Sequence, residues 1–239
     1  MSDLLGLVEV GKATMSERLV IGNVTLYHAD CREVLPTLGR HDLLLTDPPY
    51  GIGANRMKLG TGKRKLERGA DDWDAAPPPT WLLDMAVDTC DAAIVWGGNY
   101  FGLPAAKCWL VWDKAQPAGM SFADVELAWT NLDAVARRFV LRPMAMDGGK
   151  EHPTQKPIDL MTWCIDKVAH AQTVCDPFMG SGSTGVACAM MGRAFTGVER
   201  ERRYFDIACE RISRAHAQGQ LLPHEPPALP EQQGMAFEP

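Results

Sequence analysis

No run in this chain approaches the roughly 18 apolar residues that a helical membrane span requires, and it contains no internal repeat and no C-x-x-C pair. The opening MSDLLGLVEVGK has neither a basic leader nor a long apolar stretch, so a cytoplasmic protein with no membrane partner is expected. Seven cysteines, at 31, 90, 108, 164, 175, 188 and 209, are odd in number and scattered, which argues against a disulfide framework or a zinc ribbon. They read as reduced core residues, and no metal site is expected. Excess positive charge is also lacking: 24 Lys and Arg face 30 Asp and Glu, for a net charge of −6. A wholesale basic coat for nucleic acid is excluded.

What is present is 46% apolar content in 239 residues, enough for one globular core. Strand-length apolar runs recur at VTLYH, LLLT, AAIVW, WLVW, ELAW, TVCD and AFTGV. Helical spacing lies among them: Ile158, Met161, Ile165 and Val168 share one face, as do Phe205, Ala208, Ile212 and Ala215. The alternation predicts an α/β fold with a mostly parallel sheet buried on both faces. A domain over residues 1–217 is expected, with a Pro-rich, aperiodic tail at 218–239.

Against the acidic average, RMKLGTGKRK carries Arg56, Lys58, Lys63, Arg64 and Lys65 without an acid, and Gly60 and Gly62 make it a poor helix. It reads as a basic loop, either solvated or facing a polyanion.

The stretch TVCDPFMGSGSTGVACAMMGRAFTGVE describes a strand ending in Asp176, a glycine turn, a helix from about Ser183 to Gly192, and a strand ending in Glu199. That unit holds a nucleoside cofactor at the carboxyl edge of an open sheet, with the second acid on a ribose diol. The glycine spacing departs from G-x-G-x-x-G, and a carboxylate at Asp176 repels a pyrophosphate. A cationic, amino-bearing nucleoside such as S-adenosylmethionine suits these residues better than NAD.

Taken with DPPYGI at residues 47–52 and HPTQKP at 152–157, this unit resembles the amino-DNA methyltransferases, in the order often called the beta class. The resemblance spans about Leu19 to Arg214. It implies a Rossmann-like methyltransferase sheet with an antiparallel edge element, helices on both faces, and S-adenosylmethionine as cofactor. It further implies that Asp176, Phe178, Gly180, Ser181 and Gly182 wrap the methionine part and that Glu199 holds the ribose. His152, Thr154 and Lys156 would lie near the methionine carboxylate, and Asp30, with Cys31 beside it, at the adenine edge. Ala29 stands where the family usually has glycine, and Ser183 where threonine is common.

The exocyclic amino group of a base is a poor nucleophile because its lone pair is delocalised into the ring. An Asp47 oxygen and the Pro48 carbonyl could each accept an amino hydrogen and free that pair, with Pro48 and Pro49 stiffening the backbone. Tyr50 would stack on a base swung out of the duplex, for direct in-line transfer. An acid before the prolines resembles the adenine-N6 enzymes; serine there is commoner among cytosine-N4 enzymes. Cytosine-N4 transfer, a DNA-binding protein without turnover, and RNA or protein methylation are the alternatives.

Residues 113–151 leave little room for a separate recognition domain. The segment 53–79, with its basic half and Trp73, is then the expected DNA-facing insertion, supported by Arg137, Arg138 and Arg142. A homodimer is expected from the small DNA surface of one chain; neither a target sequence nor a restriction endonuclease partner is legible. VWGGNYF at 95–101 follows a buried strand, so Asn99 and Tyr100 either line the base pocket or cap a helix.

Overall fold

The protein, described by a computed structural model over residues 9–10, 17–52, 76–116, 123–142 and 155–221, is built on one ten-stranded sheet. The strands are β1 (Glu9–Val10), β2 (Glu17–Ile21), β3 (Val24–His28), β4 (His41–Thr46), β5 (Cys90–Trp96), β6 (Trp109–Asp113), β7 (Val125–Thr130), β8 (Arg137–Val140), β9 (Thr173–Asp176) and β10 (Ala194–Glu199). Their spatial order is β1-β2-β3-β10-β9-β4-β5-β7-β6-β8. The five central strands, β3 to β5 in that order, pair in parallel. Antiparallel pairing extends the sheet on both sides, β2 on β3 and β7 on β5, rather than at one edge alone.

Each of the seven apolar runs forms a strand, and the side-chain period of two divides them between two cores. Leu43 and Leu45 of β4, with Ile94 and Trp96 of β5, point to one face; Leu44, Ala93 and Val95 point to the other. The first face is covered by α3 (Ile158–Asp166), α4 (Ser183–Met190) and α5 (Arg202–Leu221). The second carries α1 (Cys31–Val34) and α2 (Thr80–Asp88), through Cys31, Val34, Leu82 and Ala86. Of the helical faces expected from spacing, Met161, Ile165 and Val168 are buried with Ile158 partly so, and Phe205, Ala208, Ile212 and Ala215 are all buried. Helix α5 continues to Leu221, past the boundary expected at 217. No helix among the described residues is long and apolar enough to cross a membrane.

The architecture matters for chemistry because parallel strands end on the same side. Along that edge β3, β10, β9 and β4 end at or just before Asp30, Glu199, Asp176 and Asp47, one acid from each of four neighbouring strands.

Candidate active site

A cavity of about 410 Å³ opens at this edge, lined by Asp30, Cys31, Asp47, Pro49, Lys156, Asp176, Phe178, Gly180, Ser181 and Glu199 among others. Ten of the fourteen expected catalytic and cofactor residues thus meet in one cavity. Prolines 77–79, ahead of α2, and Leu82 complete one wall.

Asp176 is 3% exposed. Its Oδ1 accepts from Thr46 Oγ1 at 2.7 Å and from the Phe178 amide at 3.1 Å, and its Oδ2 accepts from Thr184 Oγ1 at 2.9 Å. Burial outweighs these donors and lifts the carboxyl to about 6. Glu199 accepts from the Gly180 amide at 3.0 Å and the Glu201 amide at 2.7 Å, and burial lifts it to about 7. The glycine turn brings that Gly180 amide within reach. Among the described residues neither acid has an ion-pair partner. A buried and a half-buried carboxylate with spare acceptor capacity and no ion-pair partner among the described residues fit a nucleoside that carries a positive amino group and a diol.

Asp30 caps α1, accepting from the Arg32 amide at 2.9 Å, and pairs with the Arg32 guanidinium, which holds its carboxyl below the usual value. Cys31 is buried, and its thiol is pushed up to about 12, so it stays protonated. Ser181 lines the cavity while its carbonyl and hydroxyl oxygens accept from Arg211 of α5. Gly182, expected to bind cofactor, is not part of the lining: it has φ +80°, and a Cβ there would lie 2.9 Å from that of Ala208. Its smallness serves the packing of α4 on α5.

Asp47 follows the last residue of β4, at the mouth of the cavity. Its Oδ1 accepts from the Tyr50 hydroxyl at 2.6 Å and its Oδ2 from Lys156 Nζ at 2.5 Å. Burial raises the Asp47 carboxyl although Lys156 opposes it. Lys156, expected beside a methionine carboxylate, lines the cavity but makes its close contacts elsewhere: Asp47, the Tyr50 hydroxyl at 3.1 Å, and Glu126 Oε2 at 3.1 Å. The HPTQKP motif therefore ties α3 to the DPPY segment. Pro48 is buried and, like Tyr50, lies outside the cavity lining.

Tyr50 stacks on Tyr100, with centroids 5.0 Å apart and planes 17° from parallel, and meets Phe101 edge-on at 6.2 Å. VWGGNYF is thus joined to DPPY directly. Tyr100 sits in a short 3-10 turn, Gly98–Tyr100, and is 48% exposed.

Arg137 and Arg138 lie on the edge strand β8, both exposed, with Arg138 paired to Asp113 at 3.4 Å; Arg142 donates to the Ala115 carbonyl. They are remote in strand order from the cavity. Arg56, Lys58, Lys63, Arg64, Lys65, Trp73, His152 and Thr154 lie outside the described residues, as do most of the segment 53–79 and the tail beyond 221. Sequence reasoning passed over Thr46 and Thr184, the donors to Asp176, and over Glu126, an acid inside the apolar run VELAW. A charge inside an otherwise apolar strand-length run was the available signal.

Comparison with known proteins agrees with this geometry. Residues 95–210 match the DNA methylase family N6_N4_Mtase. The type II methyltransferase M.HinfI of Haemophilus influenzae is 23% identical over 79% of this chain and 68% of its own length. M2.LlaDCHI, a type II methyltransferase of Lactococcus lactis subsp. cremoris, is 36% identical over 29% of this chain and 26% of its own. In fold, the crystal structure of an M1.HpyAVI–SAM complex superposes with a TM-score of 0.53 at 20% identity, covering 79% of this chain and 98% of the other. The cytosine-N4-specific PvuII DNA methyltransferase gives 0.53 at 17% identity, covering 83% and 93%. With four acids aligned on the carboxyl edge and Asp47 and Pro49 of DPPY lining the cavity, the chain is similar to the amino-DNA methyltransferases, in sequence over residues 95–210 and in fold over most of its length.

Proposed function

We propose that the protein methylates the N6 amino group of adenine in DNA. The observation that carries this reading is Asp47, an acid ahead of two prolines, opening onto the same cavity as Asp176 and Glu199. The adenine assignment rests on the resemblance of D-P-P-Y to the adenine enzymes.

The cofactor supplies an activated methyl group. Glu199 would accept from the ribose hydroxyls, Asp176 would face the positive amino group, and Asp30 and Cys31 would meet the adenine edge. Phe178, Gly180 and Ser181 would enclose the rest, with Thr154 beside them. At the other end of the cavity Asp47 would exchange a bond from Tyr50 or Lys156 for one from the amino group of the target base. The Pro48 carbonyl would take the second amino hydrogen. Holding both hydrogens turns the nitrogen lone pair out of the ring, and proximity supplies much of the remaining acceleration. Tyr50 would stack on the extruded base, which offsets part of the cost of unstacking. Its ring and that of Tyr100, 5.0 Å apart, leave no room for a base between them, since stacking needs roughly 7 Å. Tyr100 would therefore yield its place on Tyr50.

The basic segment from Arg56 to Lys65 would grip phosphates, with Arg137 and Arg138 as a second contact, and two copies of the chain would enlarge the DNA footprint. Methyl transfer from labelled cofactor to DNA, followed by digestion to nucleosides, tests the reading. N6-methyladenine is the expected product. N4-methylcytosine would reassign the base, and transfer to RNA alone would reassign the substrate.

A further inference from the structure

Asp47 is one end of a chain of four charged groups. Lys156 Nζ lies 2.5 Å from Asp47 Oδ2 and 3.1 Å from Glu126 Oε2, and Lys114 Nζ lies 2.7 Å from Glu126 Oε1. The groups come from four elements: the end of β4, the approach to α3, the start of β7 and the end of β6. Lys156 is 6% exposed. Glu126 Oε2 is buried and accepts no hydrogen bond in addition to its ion pair. Glu126 reaches this place because β7 runs antiparallel to β5, so that its first residues lie at the carboxyl edge, with Glu126 opposite Trp112 of β6.

The position of Glu126 is hard to account for by stability alone. A buried ion cluster loses much of its Coulombic gain to desolvation, and an apolar residue would continue the run VELAW. Its effect on Asp47 is specific. Lys156 alone, at 2.5 Å, would draw the negative charge of Asp47 toward itself and weaken that carboxylate as an acceptor. A second carboxylate on the same ammonium divides its field between two oxygens.

We propose that Glu126 is a positioning residue for methyl transfer: by sharing the Lys156 ammonium with Asp47, it leaves the Asp47 carboxylate a strong acceptor for the amino hydrogen of the target base. Lys114 sets how much of Glu126 is free for that task. The inference rests on the assignment of Asp47 as that acceptor. The ionisable groups facing Glu126 and Asp47 are Lys156, Lys114 and Tyr50, with Tyr100 and Asp176 next to them.

The test is the pH dependence of the single-turnover transfer rate, measured on DNA with labelled S-adenosylmethionine for the full chain. Glu126→Gln removes a negative charge near Asp47 and is expected to lower the plateau roughly tenfold. It should also move the acidic limb of the profile down by about one pH unit. Lys114→Met removes the ammonium that pairs with Glu126 and lies over the Trp112 ring, and is expected to move the limb up. Glu126→Asp should restore part of the rate and the wild-type limb. Cofactor affinity, measured by calorimetry, should be unchanged in all three. Limbs that move together, or that stay at the wild-type position while rates fall, would reduce Glu126 to a packing role. If Glu126→Gln fails to bind cofactor and so does not fold, Lys114→Met decides alone, and an unmoved limb overturns the inference. A wild-type protein that transfers no methyl group to DNA overturns the assignment of Asp47 as well, which separates the two failures.

Discussion

Gly97 lies directly against the ring of Tyr50: a Cβ at Gly97 would stand 2.1 Å from Tyr50 Cε1, and Gly97 itself has φ +71°. Any side chain there must both adopt a left-handed backbone and displace the ring that DPPY presents. Gly97→Ala is expected to cost about 1–3 kcal/mol of stability by denaturant unfolding. Its transfer rate should fall far more than its cofactor affinity, because Tyr50 moves and the acids of β9 and β10 do not.

Asp47 and Asp176 end adjacent strands yet serve different partners in the proposed chemistry. Asp47→Asn should lower the transfer rate roughly 10²- to 10³-fold with cofactor affinity nearly intact. Asp176→Asn should weaken cofactor binding itself. Calorimetry with S-adenosylmethionine and single-turnover transfer, run on both variants, distinguishes the roles, and the reverse pattern would exchange them.

Burial raises Asp176 to about 6 and Glu199 to about 7, from ordinary values of 3.8 and 4.5. The folded protein holds these protons to higher pH than the unfolded chain does. Their contribution to stability is therefore complete below the unfolded values and is lost as pH rises through 6 and 7. Affinity for S-adenosylmethionine runs the other way, since the ionised acids make the better acceptors and the better partners for a cation. Without cofactor, the melting temperature should decline between about pH 4 and pH 7 from these two groups, while the cofactor Kd tightens as pH rises toward 7. Glu199→Gln should flatten most of the upper part of the affinity profile.

Lys156 neutralises two carboxylates that burial would otherwise penalise. Lys156→Met should lower unfolding free energy by about 3 kcal/mol, since Asp47 then loses its cation and Glu126 keeps only Lys114. Adding Glu126→Gln to Lys156→Met should recover part of the loss. A double variant no more stable than the single one would show that Glu126 is not the strained partner.

For the basic segment, Lys63→Ala, Arg64→Ala and Lys65→Ala combined should weaken binding to all DNA sequences alike and reduce the salt slope by about three. Unchanged affinity would transfer the phosphate contacts to Arg137, Arg138 and Arg142. Sedimentation of the intact chain checks the expected dimer, and a fully active monomer would rule it out.

The central strands and the acids at their ends were legible because a doubly covered parallel sheet needs unbroken apolar runs, and the runs LLLT, TVCD and AFTGV each end in or directly before an acid. Asp176 and Glu199 could be located by that rule alone. Helix α2 was not legible: Leu82, Leu83 and Ala86 form a short buried stripe in nine residues that begin behind three prolines. The ion cluster was hidden for a different reason. Glu126 and Lys156 are 30 residues apart in sequence, and only the reversal of β7 brings the start of that strand to the edge where DPPY ends. Lys156 lines the cavity, and its second carboxylate, Glu126, reaches it only through that reversal.

The four acids at the sheet edge are not equivalent electrically. The outer two are balanced, Asp30 by Arg32 and Asp47 by Lys156, while the inner two, Glu199 and Asp176, have no counter-charge among the described residues. Neighbouring strands are roughly 4.8 Å apart, so the edge reads as a neutral end, an anionic middle and a neutral end over the span of a nucleoside and a base. Such a profile acts as a filter by charge. It would favour a molecule with its positive centre flanked by uncharged rings over nucleotides whose phosphates would fall in the middle. In the proposed reaction the same profile would keep the phosphodiester backbone of DNA at the rim, so that a bare heterocycle is the part of the polymer that would come inside.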